Sequence, residues 1–130
     1  MTIKRHPVAG LSTQGSPYSV LVTDGTHAFM AGVVASDLPG GDKAHGDIAA
    51  ETRLVMEAIR RALAGIGLGM DRIVRVDVHL TNLATMPLMN ATYRTFFDGD
   101  ALPARTCTES PQLAGGSNVE ITAMARLSHS

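Results

Sequence analysis

The residue types best suited to chemistry lie near the C-terminal end of the chain, in two stretches that alternate like β-strands. In the first, 103–109, successive side chains of a strand point to opposite faces, so Arg105, Cys107 and Glu109 share one face. In the second, 119–127, apolar and polar residues alternate, and Glu120 turns away from the apolar face. If the two strands are neighbours, a guanidinium, a thiol and a carboxylate can line one small cavity.

Such a cavity suits a small anionic substrate. A guanidinium fork binds a carboxylate with two parallel hydrogen bonds, and a nearby carboxylate can orient or deprotonate a water. The residues alone leave a second interpretation open. Arg105 and Glu120 can instead be surface charges that pair across strands, an interaction that contributes less than ~1 kcal/mol.

Neither the glycine-rich segment nor the histidines indicate a cofactor or a metal site. The glycines at 65, 67 and 69 follow a helical pattern and lack the spacing of a dinucleotide-binding loop, so we interpret them as a helix terminator. The histidines have no spacing typical of metal ligands, and we predict neither a metal site nor a cofactor. They are His6, His27, His45, His79 and His129.

Composition limits the class of protein. With 130 residues and 45% apolar content, the chain is expected to form one domain over 1–130. Eleven basic residues against twelve acidic ones, without a basic block, argue against a protein whose main partner is a nucleic acid. The longest apolar run, 28–35, is too short for a membrane span. A single cysteine excludes an intrachain disulfide, so a cytoplasmic location is the default expectation.

Periodicity predicts the element order β-β-β-α-β-α-β-β. Apolar residues recur at helical spacing from Ile48 to Ile66, with Asp47 as the N-cap, and a shorter helix begins near Thr85 and ends at Gly99. An Asp-Gly turn at 24–25 predicts a hairpin. The predicted strands are 3–8, 18–23, 27–34, 74–80, 103–109 and 119–127.

This order predicts an α+β fold with both helices on one face of a single sheet. The opposite face then needs a cover, because several strands carry apolar or small residues on both sides, as in 29–34. We therefore expect another copy of the chain to cover it, which makes the protein a homo-oligomer.

Five features, in this order over nearly the whole length, make the chain resemble the Rid family, the reactive intermediate deaminases of YjgF type. The arginine and the glutamate also keep the fifteen-residue separation of that family. The features are Ser16-Pro17-Tyr18-Ser19, Gly32, Asn90-Ala91-Thr92-Tyr93 with Phe96-Phe97, Pro103-Ala104-Arg105-Thr106-Cys107, and Val119-Glu120-Ile121.

The resemblance implies a chorismate-mutase-like fold with one mixed sheet, and a homotrimeric barrel with clefts between subunits. It also implies that Arg105 holds the carboxylate of a 2-imino acid and that Glu120 handles the hydrolytic water, giving a 2-oxo acid and ammonia. Tyr18, Asn90 and Cys107 would shape the pocket, in part from a neighbouring subunit. From the residues alone, Tyr18 can be a wall of the pocket or a hydrogen-bond partner of the substrate, and Asn90 can be a solvent-facing residue.

Two departures from the family concern the pocket. Ala31 occupies a pocket position where deaminase members carry a serine or threonine, and Ser16 replaces a glycine. These two departures are expected to affect which substrates the pocket accepts. No histidine can be assigned to Cys107, so it is predicted to line the pocket rather than act as a nucleophile. Two alternatives stay open: a non-catalytic trimer that binds a small metabolite, and a ribonuclease, which the charge balance disfavours.

Overall fold

A computed structural model describes residues 2–128, in which the strands form one seven-stranded sheet. The helices are α1 (Gly41–Ala44), α2 (Ile48–Ala64) and α3 (Met86–Arg94). Short 3-10 segments cover Ala35–Asp37, Met70–Arg72, Leu83–Thr85 and Ala114–Gly116. The strands are β1 (Lys4–His6), β2 (Leu21–Thr23), β3 (His27–Met30), β4 (Val33–Val34), β5 (Ile73–Leu80), β6 (Ala104–Glu109) and β7 (Val119–Arg126). His129 lies outside the described residues.

The sheet is mixed, as predicted. Its strand order is β1-β2-β3-β7-β5-β6, and β4 also pairs with β7. All neighbours are antiparallel except β5 and β6, which are parallel. A parallel pair needs a crossover, and α3 lies in the segment that links these two strands. In the strand order given above, β5 lies between β6 and β7.

Helix α2 begins and packs as its sequence predicts. The Asp47 side chain accepts a hydrogen bond from the Ala50 backbone N–H at 3.0 Å, which caps the helix. Its buried side includes Val55 and Ile59, which join the core formed with the sheet. Gly67, with φ +81°, reverses the chain after the helix.

The core lies between the helices and one face of the sheet. On β5, Val76, Val78 and Leu80 are fully buried and pack in one cluster with Met89 of α3. The opposite face of β5 carries Arg75, Asp77 and His79, all partly exposed. Both main helices thus lie on one face, and the other face, which we call the open face, has no helix over it among residues 2–128. No helix in that range has the length and apolar character needed to cross a bilayer.

The third predicted strand, 27–34, is divided into β3 and β4 by a β-bulge. The register pairs Phe29 with Met124 and Val33 with Ile121. Four residue steps on one strand therefore face three on the other, the one-residue excess that defines a bulge. The extra residue reverses the alternation, so that Val33 turns into the core although Phe29 lies on the open face.

The loop between β4 and α2 contains the short helix α1 and is held to the segment before β7. The Ser36 N–H donates to the Ser117 hydroxyl at 3.1 Å, and His45 Nε2 lies 3.0 Å from the Gly116 carbonyl oxygen. These contacts fix the loop at both ends.

The buried carboxylate of Glu51, in the first turn of α2, connects this loop to the residues that lead into β7. It accepts hydrogen bonds from the Gly46 N–H at 2.9 Å and from the Asn118 N–H and side-chain amide, both at 2.8 Å. The side chain is completely buried. One carboxylate thus satisfies three donors from the loop and from the entry to β7.

Replacing Glu51 with alanine should lower the free energy of unfolding by about 3 kcal/mol, because it leaves buried donors without acceptors. Urea denaturation measures the change. Glu57→Ala, on the outer side of the same helix, removes a carboxylate whose partner is the exposed Arg60, and should cost less than about 1 kcal/mol. Equal losses for the two variants would contradict the structural role of Glu51.

Candidate functional site

The sheet register separates the two residues with the greatest catalytic potential. Val76 of β5 pairs with Arg105 on one side and with Ala123 on the other, and paired residues point to the same face. Arg105 therefore lies on the helix-covered face. Glu120 alternates with Ile121 and lies on the open face. The condition that the two strands are neighbours is not met, since β5 lies between them, and within one chain the two side chains lie on different faces of the sheet.

The Arg105 guanidinium rests on an aromatic ring of α3. Its central carbon lies 4.9 Å from the centre of the Tyr93 ring, and Nη1 lies 3.9 Å from the sulfur of Met89. Within residues 2–128 no carboxylate forms an ion pair with it. A cation held by a ring face keeps its N–H edges available, so this fork can bind an external anion.

A cavity of about 350 Å³ opens beside this guanidinium. Two buried polar atoms among its lining residues, Asn90 Oδ1 and the Tyr93 hydroxyl oxygen, have no hydrogen-bond partner in the described part of the chain. The lining residues are Asn90, Tyr93, Arg94, Leu102, Pro103 and Arg105. A ligand with polar groups could satisfy atoms that the protein leaves unpaired.

Burial controls the protonation of two groups near Arg105. It raises the pKa of Tyr93 to about 12, and the nearby guanidinium opposes this shift only in part. It also raises the pKa of Cys107, again against the effect of Arg105. Both groups are therefore protonated at neutral pH. A protonated, half-buried thiol is a poor nucleophile, which favours the interpretation of Cys107 as a lining residue.

Glu120 lies against the β-bulge. A Cβ atom built on Gly32 would fall 2.9 Å from Cδ of Glu120 and closer still to Oε2. Gly32 is therefore required for space and not for an unusual backbone angle. Among residues 2–128 the carboxylate has no hydrogen-bond partner, so both oxygens are available on the open face.

A polar row crosses the open face beside this carboxylate. His79 of β5 pairs in register with Thr108 of β6 and with Glu120 of β7. Its Nδ1 lies 2.7 Å from the Thr108 hydroxyl oxygen. The row therefore places an imidazole and a carboxylate side by side on one surface.

The other two predicted site residues lie elsewhere. Tyr18 is half exposed in the loop before β2, in a groove shared with Ser16 and Asp37 that contains neither Arg105 nor Glu120. Ala31 lies in the bulge, where its N–H donates to the Val20 carbonyl at 2.8 Å. Within one chain, only Asn90 joins Arg105 in a common cavity.

Sequence reasoning gave no individual role to Tyr93, which it named only within the segment Asn90-Ala91-Thr92-Tyr93. Its position was a usable signal, since Tyr93 follows Asn90 by three residues and Met89 by four, which places all three on one helix face. Among residues 2–128, no cluster of three or more His, Cys, Asp and Glu side chains could hold a metal ion.

Comparison with known proteins gives a match over most of the chain. Residues 12–127 match the family model described as Endoribonuclease L-PSP. A RutC family protein of Pyrococcus horikoshii is 33% identical over 109 residues, covering 84% of this chain and 86% of its own length. The mouse 2-iminobutanoate/2-iminopropanoate deaminase is 29% identical over 109 residues, covering 84% of this chain and 80% of the enzyme.

Solved structures show the same fold. A Yersinia pestis protein of the conserved Rid family superposes with a TM-score of 0.84 at 25% identity, covering 97% of this chain and all of its own. Escherichia coli TdcF, solved with bound serine, superposes with a TM-score of 0.78 at 27% identity, covering 87% of this chain and 90% of its own.

Gly32→Ala should disturb the Glu120 carboxylate, because the added methyl group occupies its position. We expect a loss of unfolding free energy of about 1 to 3 kcal/mol, measured by urea denaturation. In a Glu120→Ala background the same change should cost much less, since the clash is gone. Equal costs in both backgrounds would show that Gly32 does not accommodate Glu120.

Proposed function

We propose, on the premise that this chain belongs to the Endoribonuclease L-PSP family, also called YjgF/Rid, that it is a hydrolytic deaminase. Its substrates are reactive 2-imino and 2-enamino acids, and its products are 2-oxo acids and ammonia. The observation that carries the proposal is Arg105, a guanidinium without a carboxylate partner among residues 2–128 that borders an open cavity. The named activity of the mouse relative supports the same reaction class.

Hydrolysis of a 2-imino acid needs few catalytic groups. A 2-imino acid reacts with water unaided, so a catalyst needs only to hold its carboxylate, present a water to the imine carbon and manage the protons. Charge-assisted hydrogen bonds from Arg105 to the carboxylate would supply about 1.5 to 3 kcal/mol. Glu120, with both oxygens available, would take the proton of the attacking water.

The separation of these residues determines where the site can form. Since Arg105 and Glu120 lie on opposite faces of one sheet, a site that uses both requires Arg105 of one copy and Glu120 of a neighbour. A homotrimer in which the β6 edge of one subunit meets the open face of the next would provide such a cleft. Tyr18 would reach the same cleft from its exposed loop, and Cys107 and Ala31 would line it.

A non-catalytic metabolite-binding trimer is the second candidate. The serine bound by TdcF favours it, because a carboxylate ligand can occupy a related protein without reacting. The two candidates share Arg105 and differ in Glu120. Ribonuclease activity finds less support, since the chain lacks a basic block and has a net charge of −1.

Ammonia release from the imine of 2-aminobutyrate, generated in situ by an amino acid oxidase, should be faster with the protein than without it. Arg105→Ala should lower kcat/KM about 10- to 100-fold through the lost carboxylate contact. Glu120→Gln should lower kcat about 100-fold or more through the lost base. Arg53→Ala and Glu57→Gln, on the outer side of α2, are the matched controls.

Binding without turnover has a distinct outcome in this assay. If wild-type protein leaves ammonia release unchanged but binds 2-oxobutyrate in a calorimeter, and Arg105→Ala abolishes that binding, the deaminase proposal fails and the metabolite-binding candidate replaces it.

Mixed trimers should reveal that two copies build each site. Arg105→Ala and Glu120→Ala chains, inactive alone, are co-expressed with different tags, and hybrids are purified. Each purified hybrid trimer, whichever chain it holds twice, has one of its three sites with both residues intact, so activity should return to about one third of the wild-type value. Hybrids that stay inactive, although wild-type trimers turn over substrate, would place both residues in one copy.

A further inference from the structure

His79 is a titratable group that the proposed reaction has not used, although it lies directly beside Glu120. The two residues are cross-strand partners of β5 and β7, and partners of this kind have Cβ atoms about 4.5–5.5 Å apart. Both side chains point to the open face. Any substrate placed over Glu120 from that face therefore also meets the imidazole.

The imidazole is oriented by one of its two nitrogens. Nδ1 lies 2.7 Å from the hydroxyl oxygen of Thr108, which fixes the ring from the β6 side. Nε2 has no hydrogen-bond partner among residues 2–128. One nitrogen thus orients the ring while the other is available to a substrate, an arrangement that suits proton transfer.

The other charged groups near His79 are already paired with each other. Asp77, two residues earlier on the same face, binds Arg75 at 2.9 Å, and Arg75 also donates to the Thr106 hydroxyl at 2.7 Å. Glu120 is the remaining charged group that faces His79 from the neighbouring strands. His79 and Glu120 are therefore cross-strand neighbours with no other unpaired charge beside them on these strands, and no ion pair joins them in the described range.

We propose that His79 is a catalytic residue of the deaminase reaction, in which it protonates the substrate nitrogen while Glu120 accepts the proton of water. This inference rests on the proposed function. It assigns the acid, for which Arg105 and Glu120 alone provide no separate group.

The protons balance over the two steps. As the water oxygen bonds to the imine carbon, Glu120 takes a water proton, the C=N π electrons move to nitrogen, and nitrogen takes the imidazolium proton, giving a 2-amino-2-hydroxy acid. The carbon–nitrogen bond then breaks as Glu120 returns its proton to the leaving ammonia, and the neutral imidazole takes the hydroxyl proton as the carbonyl forms. Both side chains end as they began.

The test compares His79→Gln and His79→Phe with the wild type in the oxidase-coupled assay, across a range of pH. Loss of a positioned acid should lower kcat about 100-fold or more, with little change in the dissociation constant of 2-oxobutyrate. If this position supplies the acid, the pH profile of wild-type kcat should have an alkaline limb that both variants lack. Imidazole added to His79→Ala protein should restore part of the rate.

His27→Gln is the matched control. His27, on β3, also lies on the open face, but it pairs with Arg126, at the end of β7 far from Glu120. Size-exclusion chromatography shows whether each variant assembles like the wild type. If wild-type protein is active and correctly assembled His79 variants keep its kcat and its pH profile, the role of His79 is wrong and the deaminase proposal stands. If the wild type itself has no activity, the proposed function fails, and with it this inference.

Discussion

The central constraint in this molecule is the position of β5 between β6 and β7. A strand paired on both sides imposes one alternation on its neighbours, so the direction of every side chain on β6 and β7 follows from the register of β5. That register turns Arg105 toward the helices and Glu120 away from them. Within one chain the two side chains therefore cannot face the same site. This is the physical reason for proposing that neighbouring copies together complete each site.

The second constraint on the candidate site is the set of contacts that hold the Arg105 guanidinium. An arginine fixed by a carboxylate would have its charge neutralised and its donors occupied. Arg105 instead lies over the ring of Tyr93 and close to the sulfur of Met89, contacts that hold the group while leaving its hydrogen-bonding edges open. The neutral tyrosine adds no competing negative charge. The guanidinium thus has hydrogen-bond donors that no carboxylate of residues 2–128 occupies.

Much of the fold follows from the sequence because its periodicities are strong. The stripe of α2, its Asp47 cap, and the alternation of β5 and β7 give the elements within one or two residues. The pairing order is a long-range property, however, and nothing local in 103–109 shows that β6 pairs with β5 instead of β7. For the same reason the sequence indicates the types of the candidate residues but not the faces of the sheet on which they lie. The break at Ala31 was also hidden, because a bulge changes the phase without changing the apolar character of the segment.

The bulge between β3 and β4 makes the length of this segment as important as its composition. Its extra residue moves Val33 and Val34 into opposite phase with β3, and Gly32 provides the gap into which Glu120 extends. Loss of one residue here would turn Val33 out of the core and close the gap in the same event. Descendants of this chain can therefore substitute Ala31 more readily than they can replace Gly32 or shorten the bulge, and insertions or deletions should accumulate in the surface loops instead.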